Sequence, residues 1–113
     1  MNKEEIMVYP LTAPLLEMLI LSIVDKGDSY GYQISQRLKD VSGIKDSALY
    51  PVLKRLSENG CIESYDKPFQ GRNRKYYRMT ESGRDYYRML AQAWNEHLQA
   101  IEQIMEGTKG VSV

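Results

Sequence analysis

SALYPVLKRLSENG, residues 47–60, is the stretch that decides the fold of this chain. Its leucines recur at the spacing of one helical face, and its final Asn-Gly is a common helix stop. Pro51 interrupts the pattern, because an interior proline removes a hydrogen bond and clashes with the carbonyl four residues back, at about 3 kcal/mol. If Ser47 or Asp46 caps this helix, Pro51 falls in a distorted but stiffened first turn. Alternatively, Pro51 delays the helix start and leaves Tyr50 outside the helix.

Helices are predicted on both sides of this stretch. Upstream, apolar residues recur with helical period in two segments separated by a short polar break. The second of these helices is capped by Asp28 or Ser29, and Ile34, Leu38 and Val41 form its buried stripe. The predicted helices are Leu11–Asp25, Tyr30–Val41, Ser47–Asn59 and Glu81–Glu106.

Between the third and last helices the hydrophobic period changes to that of a strand. Cys61–Tyr65 and Lys75–Met79 each show the two-residue alternation of side chains that is typical of a strand. Residues 66–74 include Pro, Gly and Asn and predict a long, basic loop, so the unit is a β-hairpin. In its second strand, Tyr77 is expected to pack in the core and Tyr76 to face outward.

Three helices followed by a two-stranded basic hairpin are the order of a winged helix-turn-helix. The predicted fold class is therefore mainly α with a small β-hairpin, extended by a long C-terminal helix that Thr80 caps. We divide the chain into a winged helix-turn-helix DNA-binding domain at 1–80, a C-terminal dimerisation helix at 81–106 and a disordered tail at 107–113.

Composition excludes several classes of protein. With 113 residues and 42% hydrophobic content, the chain supplies one modest core. One cysteine permits no intramolecular disulfide, and the sequence shows no metal set, cofactor motif or nucleophile–base pair, so the chain is predicted not to be an enzyme. Cys61 is expected to be a core hydrophobe, with a redox sensor as the alternative.

The longest apolar stretch, 15–24, is shorter than the ~20 residues of a membrane span, and no signal peptide is apparent, so we expect a cytoplasmic protein.

The charge distribution points to a polyanion as partner, although the net charge is zero. The segment from Lys67 to Arg78 carries five cations and no acid. Such a cluster attracts an anion that comes within a Debye length of ~8–10 Å, whatever the net charge of the chain. The hairpin is therefore predicted to bind nucleic acid, the alternative being a merely solvated surface. The cations are Lys67, Arg72, Arg74, Lys75 and Arg78.

Three motifs carry a family resemblance: YGYQISQRL (Tyr30–Leu38), LYPVLKRLSENGCI (Leu49–Ile62) and GRNRKYYRMTESGR (Gly71–Arg84). With them the sequence resembles the PadR family of transcriptional regulators. The short last helix looks like the compact branch of that family, which lacks the large C-terminal domain of longer members. Trp94 matches the tryptophan of multidrug-sensing members, in which paired tryptophans line a cavity at the dimer centre. A signature for a particular effector is missing.

The resemblance implies that the third helix is the recognition helix, with Pro51 near the groove. Tyr50 is expected to offer its hydroxyl to a phosphate or base edge and its ring to a thymine methyl. Lys54 is expected to contact a phosphate, whereas Arg55 either does so or pairs with an acid such as Glu58. The side chains expected to face the core are Leu49, Val52, Leu53 and Leu56.

Two further groups complete the predicted DNA surface. Cations of the hairpin reach phosphates or a narrow minor groove. Tyr30 and Tyr32, at a helix N-terminus, form a phosphate clamp, although core packing of Tyr32 is an equal alternative. The candidate DNA-binding residues are Tyr30, Tyr32, Ser47, Ala48, Tyr50, Lys54, Arg55, Arg72, Arg74 and Lys75.

The last helix carries an apolar seam that one small domain cannot cover. Its residues recur at alternating three- and four-residue spacing, which is typical of helix-on-helix packing, and the first helix is apolar over most of its circumference. A homodimer is therefore predicted. The effector-binding or dimer-interface residues are Leu15, Leu19, Tyr87, Leu90, Trp94, His97, Leu98 and Ile101.

These features predict a repressor that binds an inverted repeat in double-stranded DNA as a homodimer. A planar aromatic or hydrophobic effector would relieve repression by binding between the two copies of Trp94, and plain interface packing of Trp94 is the alternative. The competing function is a winged-helix protein-interaction module without sequence-specific DNA binding.

Overall fold

The predicted order of elements is confirmed in a computed structural model, which describes Tyr9 and residues 11–112, with side chains up to Glu106. The elements are α1 (Ala13–Lys26), β1 (Ser29–Tyr30), α2 (Gly31–Leu38), α3 (Asp46–Glu58), β2 (Ile62–Phe69), β3 (Arg72–Met79) and α4 (Glu81–Ser112). The strands form one antiparallel sheet in the order β1-β3-β2. The fold is mainly helical with a small sheet and a long last helix, as predicted.

The core lies where the first three helices meet the inner face of the sheet. All four side chains that α3 was predicted to bury are buried, and Tyr77 is the buried tyrosine of β3, so both predictions are confirmed. Each fully buried aliphatic side chain contributes about 1.5–3 kcal/mol relative to leaving it exposed. The fully buried side chains are Ile20, Leu21, Val24, Ile34, Leu38, Leu49, Leu53, Leu56 and Ile62.

α2 is shorter than predicted, and this removes Val41 from the core. The helix ends at Leu38, and the N–H groups of Asp40 and Val41 donate to carbonyls three residues back, which closes a turn. Val41 is 48% exposed, so its assignment to the buried stripe is wrong, whereas Ile34 and Leu38 are buried as predicted.

The start of α2 also differs from the prediction, because the residues expected to cap it belong to a strand. Ser29 and Tyr30 pair with β3, and neither Asp28 nor Ser29 caps the helix. Tyr30 directly precedes the helix, and its N–H donates to Gln33 Oε1 at 3.1 Å. A two-residue strand is too short to show a period in the sequence, and it was therefore not predicted.

α3 contains Pro51 inside the helix, one turn beyond its N-terminus. Lys45 precedes the helix, and the carboxylate of Asp46 accepts a hydrogen bond from Ser35 Oγ of α2 at 2.9 Å instead of capping. The interpretation that Pro51 delays the helix start is wrong. The proline leaves the carbonyl of Ser47 without its usual N–H donor. The hydrogen bond between Ser35 of α2 and Asp46 of α3 supports this first turn.

The predicted long loop of the hairpin is also wrong, because the strands continue to a two-residue turn. Phe69 pairs with Arg72, and Gln70 and Gly71 between them have φ values of 50° and 79°. Two consecutive positive φ values form a type I′ turn, and Gly71 adopts this conformation without steric cost. Pro68 is tolerated because β2 is an edge strand.

A buried carboxylate joins three helices. Glu17 of α1 is 7% exposed, and its Oε2 accepts from Arg55 Nε and Nη2 of α3 at 3.3 and 3.2 Å. Its Oε1 accepts from the hydroxyl of Tyr86 of α4 at 2.7 Å. Arg55 therefore pairs with an acid, as one alternative predicted, but with Glu17 rather than Glu58.

α4 begins where predicted and ends later. The Oγ1 of Thr80 accepts a hydrogen bond from the N–H of Gly83 at 2.9 Å, which confirms the predicted cap. The helix continues past Glu106 to Ser112, because extending an existing helix adds a hydrogen bond for each residue ordered. The helical backbone thus covers most of the predicted tail, and Val113 lies outside the described residues.

Cys61 lies in the core, as predicted, and is 7% exposed. Burial, and to a lesser degree the charge of Glu17, raise the pKa of its thiol. A raised pKa disfavours the thiolate that oxidation requires, so these surroundings favour the core role over a redox sensor.

Replacing Tyr86 by phenylalanine is expected to lower the free energy of unfolding by about 1.5–3 kcal/mol at pH 8, because one oxygen of a buried carboxylate loses its donor. The hydrogen bond to Glu17, followed by burial, raises the pKa of Tyr86 to about 12. A raised pKa stabilises the fold below the unfolded-state value near 10, and this contribution disappears as pH rises from about 10 to 12.

The measurement is urea unfolding of wild type and Tyr86→Phe at several pH values and one protein concentration. The difference in the free energy of unfolding between wild type and Tyr86→Phe should shrink from pH 10 upward. Tyr9→Phe, at an 85% exposed tyrosine, is the matched control and should unfold like wild type throughout. A Tyr86→Phe difference that stays constant to pH 12 would contradict the expected role of this hydroxyl.

Candidate nucleic-acid interface

The outer face of α3 presents the side chains that the sequence predicted would face DNA. Ser47, Ala48, Tyr50 and Lys54 are exposed, opposite the buried leucines of the same helix. Because successive residues in a helix are about 100° apart, burying one stripe necessarily turns these residues outward. Arg55 is exposed as well, but its guanidinium is paired with Glu17 of α1.

Tyr50 lies against Gly31 at the start of α2. A Cβ built on Gly31 would lie 2.8 Å from the hydroxyl oxygen of Tyr50 and 3.0 Å from its ring. Only glycine therefore lets the first turn of α2 approach this ring so closely. Tyr50 is 44% exposed and keeps part of its ring available to a ligand. The only sequence signal for this contact is the glycine of the YGYQ motif.

The two tyrosines at the start of α2 have different surroundings. Tyr32 is 63% exposed, so the alternative of core packing is wrong for this residue. Tyr30 is half-buried and packs edge-to-face on Tyr76 of β3, with ring centroids 5.4 Å apart. Both line an open groove of about 420 Å³ between the end of α1 and the start of α2, to which Lys26 and Arg37 add positive charge.

Most of the hairpin cations have no ionic partner among the described residues. Arg55, Arg78, Arg84 and Arg88 each form a salt bridge with a carboxylate. Within the described part of the chain, four hairpin cations form none, and we call them the wing cations: Lys67, Arg72, Arg74 and Lys75. The unneutralised charge at this end of the molecule makes the hairpin an attractive surface for a polyanion.

The strand register places the wing cations on both faces of the sheet. Lys67 is paired with Arg74 and therefore shares its face, whereas Lys75 points to the opposite face. On the first face, the guanidinium of Arg74 lies 3.8 Å from the ring centroid of Phe69 and 4.3 Å from that of Tyr30. The sequence analysis identified these cations and missed Phe69, whose place on this face depends on the register.

The apolar seam of α4 is exposed on the single chain. Trp94 is 41%, Leu98 36% and Ile101 40% exposed, and the ring of His97 lies 6.4 Å from that of Trp94. Nearer the start of the helix, Tyr87 and Leu90 are half-buried against the core. In α1, which packs against α4, the half-buried members of the predicted interface are Leu15 and Leu19.

Two classes of site are absent from the described residues. No group of three or more His, Cys, Asp or Glu side chains is placed to hold a metal ion there. In that same part of the chain, no helix combines the length and apolar character needed to cross a membrane.

Comparisons with known proteins agree with this geometry. The profile of the Transcriptional regulator PadR-like family matches residues 20–89. A Streptococcus mutans UA159 protein of known crystal structure is 48% identical, with a TM-score of 0.86 over 89% of this chain and 95% of its own. A PadR family transcription regulator from Clostridium difficile is 32% identical, with a TM-score of 0.73 over 80% of this chain and 97% of its own. The Negative transcriptional regulator PadR of Bacillus subtilis is 34% identical over 76 residues, which cover 62% of this chain and 41% of that protein.

Arg72→Ala is expected to flatten the salt dependence of binding to duplex DNA. Each phosphate that a cation neutralises contributes about −0.9 to the slope of log K against log salt, so in the predicted homodimer the loss of one cation per subunit removes up to about two units. The measurement is fluorescence anisotropy of a labelled duplex over a salt series. Arg88→Ala removes an arginine that Asp85 already neutralises and should leave the slope unchanged. An unchanged slope in Arg72→Ala would show that Arg72 does not neutralise a phosphate.

Proposed function

This chain belongs to the PadR-like family of transcriptional regulators, and from that premise we propose that it is a repressor that binds an inverted-repeat operator as a homodimer. The family consists of regulators rather than enzymes, in agreement with the absence of catalytic motifs from the sequence. The observation that carries the proposal is the set of unpaired wing cations on the same domain as the exposed outer face of α3. The repressor mode is supported by the name of the Bacillus subtilis relative, a negative regulator.

In this proposal α3 enters the major groove and the hairpin follows the backbone beside it. Tyr50 contacts a base edge or a thymine methyl, with Ser47 and Ala48 beside it on the exposed part of the same helix. Lys54, Arg72 and the other wing cations neutralise phosphates, which supplies affinity without sequence information. Sequence preference therefore depends on α3, and salt dependence depends mainly on the wing.

A second copy of the chain is the proposed cover for the exposed seam of α4. Trp94, Leu98 and Ile101 lie on one stripe of the helix, and pairing two such stripes removes both from water. A symmetric dimer matches a two-fold repeat in DNA, whose half-sites on one face lie ~34–36 Å apart. The proposed target is DNA in the cytoplasm.

The proposed effector is a planar aromatic or hydrophobic molecule bound between the two copies of Trp94, which matches the tryptophan of the multidrug-sensing members. Trp94 is exposed near the middle of the seam, and paired indole faces can sandwich a flat ring. Such a ligand releases DNA only if it prefers a separation of the α3 helices that differs from the half-site spacing.

The dimer and its operator can be tested with one pair of variants. Ile101→Glu places a carboxylate in the seam and is expected to yield monomers that lose binding to the inverted repeat. Gln99→Glu adds the same charge on the opposite side of α4 and should remain dimeric and bind like wild type. Sedimentation equilibrium reports the mass, and electrophoretic shift on the promoter fragment of its own gene, against a scrambled duplex, reports binding. A wild-type monomer at micromolar concentration, or equal affinity for both duplexes, would contradict the proposal.

Fluorescence tests the effector site, because Trp94 is the only tryptophan in the chain. A planar aromatic compound is expected to quench this fluorescence and to weaken operator binding at the same concentrations. Trp94→Leu should retain DNA binding and lose the response of that binding to the compound. If a panel of planar compounds neither quenches Trp94 nor shifts the DNA-binding curve, Trp94 is interface packing and no effector binds there.

A further inference from the structure

One wing cation, Arg74, is clamped between two aromatic rings. Its guanidinium lies 3.8 Å from the centroid of Phe69 and 4.3 Å from that of Tyr30, both within the range of a cation–π interaction. Phe69 is 40% exposed and directly precedes the turn, so its ring contributes little to the core. Its ring instead contacts the guanidinium of Arg74.

The clamp follows from the register of the sheet. Arg74 is on β3, the central strand, and the two rings come from the strands on either side of it. Phe69 is paired with Arg72, and Tyr30 is paired with Tyr76, so each ring is a diagonal neighbour of Arg74 on the same face. Diagonal neighbours are within reach of long and aromatic side chains.

The two ring contacts restrict the Arg74 side chain, but they do not neutralise its positive charge or occupy its N–H groups. When a guanidinium stacks on a ring, its N–H groups lie in the guanidinium plane and remain able to donate. Arg74 forms no salt bridge with any described residue. Arg78 shows the contrast, because it also lies over a ring, that of Tyr65 at 5.1 Å, but donates to Glu63 at 3.0 Å.

We infer that Phe69 is a positioning residue which, together with Tyr30, holds the Arg74 guanidinium in a fixed orientation for donating hydrogen bonds to duplex DNA. This inference rests on the proposed function. A free arginine loses side-chain entropy when it binds, and an arginine held in place before binding loses less. Phe69 therefore contributes to DNA affinity through Arg74 rather than through its own contact with DNA.

The test is a double-mutant cycle with Phe69→Leu, Arg74→Ala and the double variant, each in the full chain. The probes are the promoter fragment and the scrambled duplex, with affinity measured by anisotropy and folding checked by circular dichroism. Phe69→Leu is expected to weaken promoter binding roughly tenfold in the dimer, and to have no effect in the Arg74→Ala background. Tyr9→Leu, which removes an 85% exposed ring outside the hairpin, is the control and should bind like wild type.

Arg74→Lys provides a second variant that leaves the ring in place. It keeps the charge and loses the planar group, so it should weaken binding about as much as Phe69→Leu does. Wild-type affinity in Phe69→Leu, or an equal loss with and without Arg74, would overturn the inference while leaving the proposed function standing. A wild-type chain that does not prefer the promoter fragment would overturn the proposed function, and this inference with it.

Discussion

The carboxylate of Glu17 is the constraint on which the relative placement of the helices depends. A buried carboxylate costs several kcal/mol unless it is paired, and this one is satisfied only when Arg55 of α3 and Tyr86 of α4 both reach it. No buried side-chain nitrogen or oxygen in the described residues lacks a partner, so the arrangement is complete. The helix proposed to enter DNA is thereby tied to the helix proposed to form the dimer, and a change in the position of one alters the contacts of the other.

Electrostatics divide the arginines into two groups with different roles. Four of them are paired with carboxylates, as Arg55 is with Glu17 and Arg84 with Asp25. The wing cations are not, and aromatic rings support Arg74 in place of a carboxylate. A ring fixes the orientation of a guanidinium while leaving its charge available to a polyanion, which a carboxylate would not do. The zero net charge of the chain thus conceals a surface suited to DNA.

The contacts that place Tyr50 and Arg74 show why a candidate site can be predicted only in part. Their identity and outward direction follow from helical and strand periodicity, which act within a few residues. Their supporting partners, Gly31 and Phe69, come from other elements and meet them only through packing and register. The residues proposed to contact DNA are therefore predictable from the sequence, whereas the contacts of Gly31 and Phe69 with them are not. It also overestimated the loop of the hairpin, since a proline on an edge strand reads as loop but does not end the strand.

By itself the sequence determined the order of the elements, the buried leucine stripe of α3, the cap at Thr80 and the family, because each depends on local spacing and residue type. Only the tertiary structure decided that Arg55 turns to Glu17, that Ser29 and Tyr30 form a third strand and that Pro51 lies within a helix tied to α2 by Asp46 and Ser35. These outcomes depend on partners 11 to 48 positions away in the chain, and which of them meet is set by how the core packs rather than by any period in the sequence.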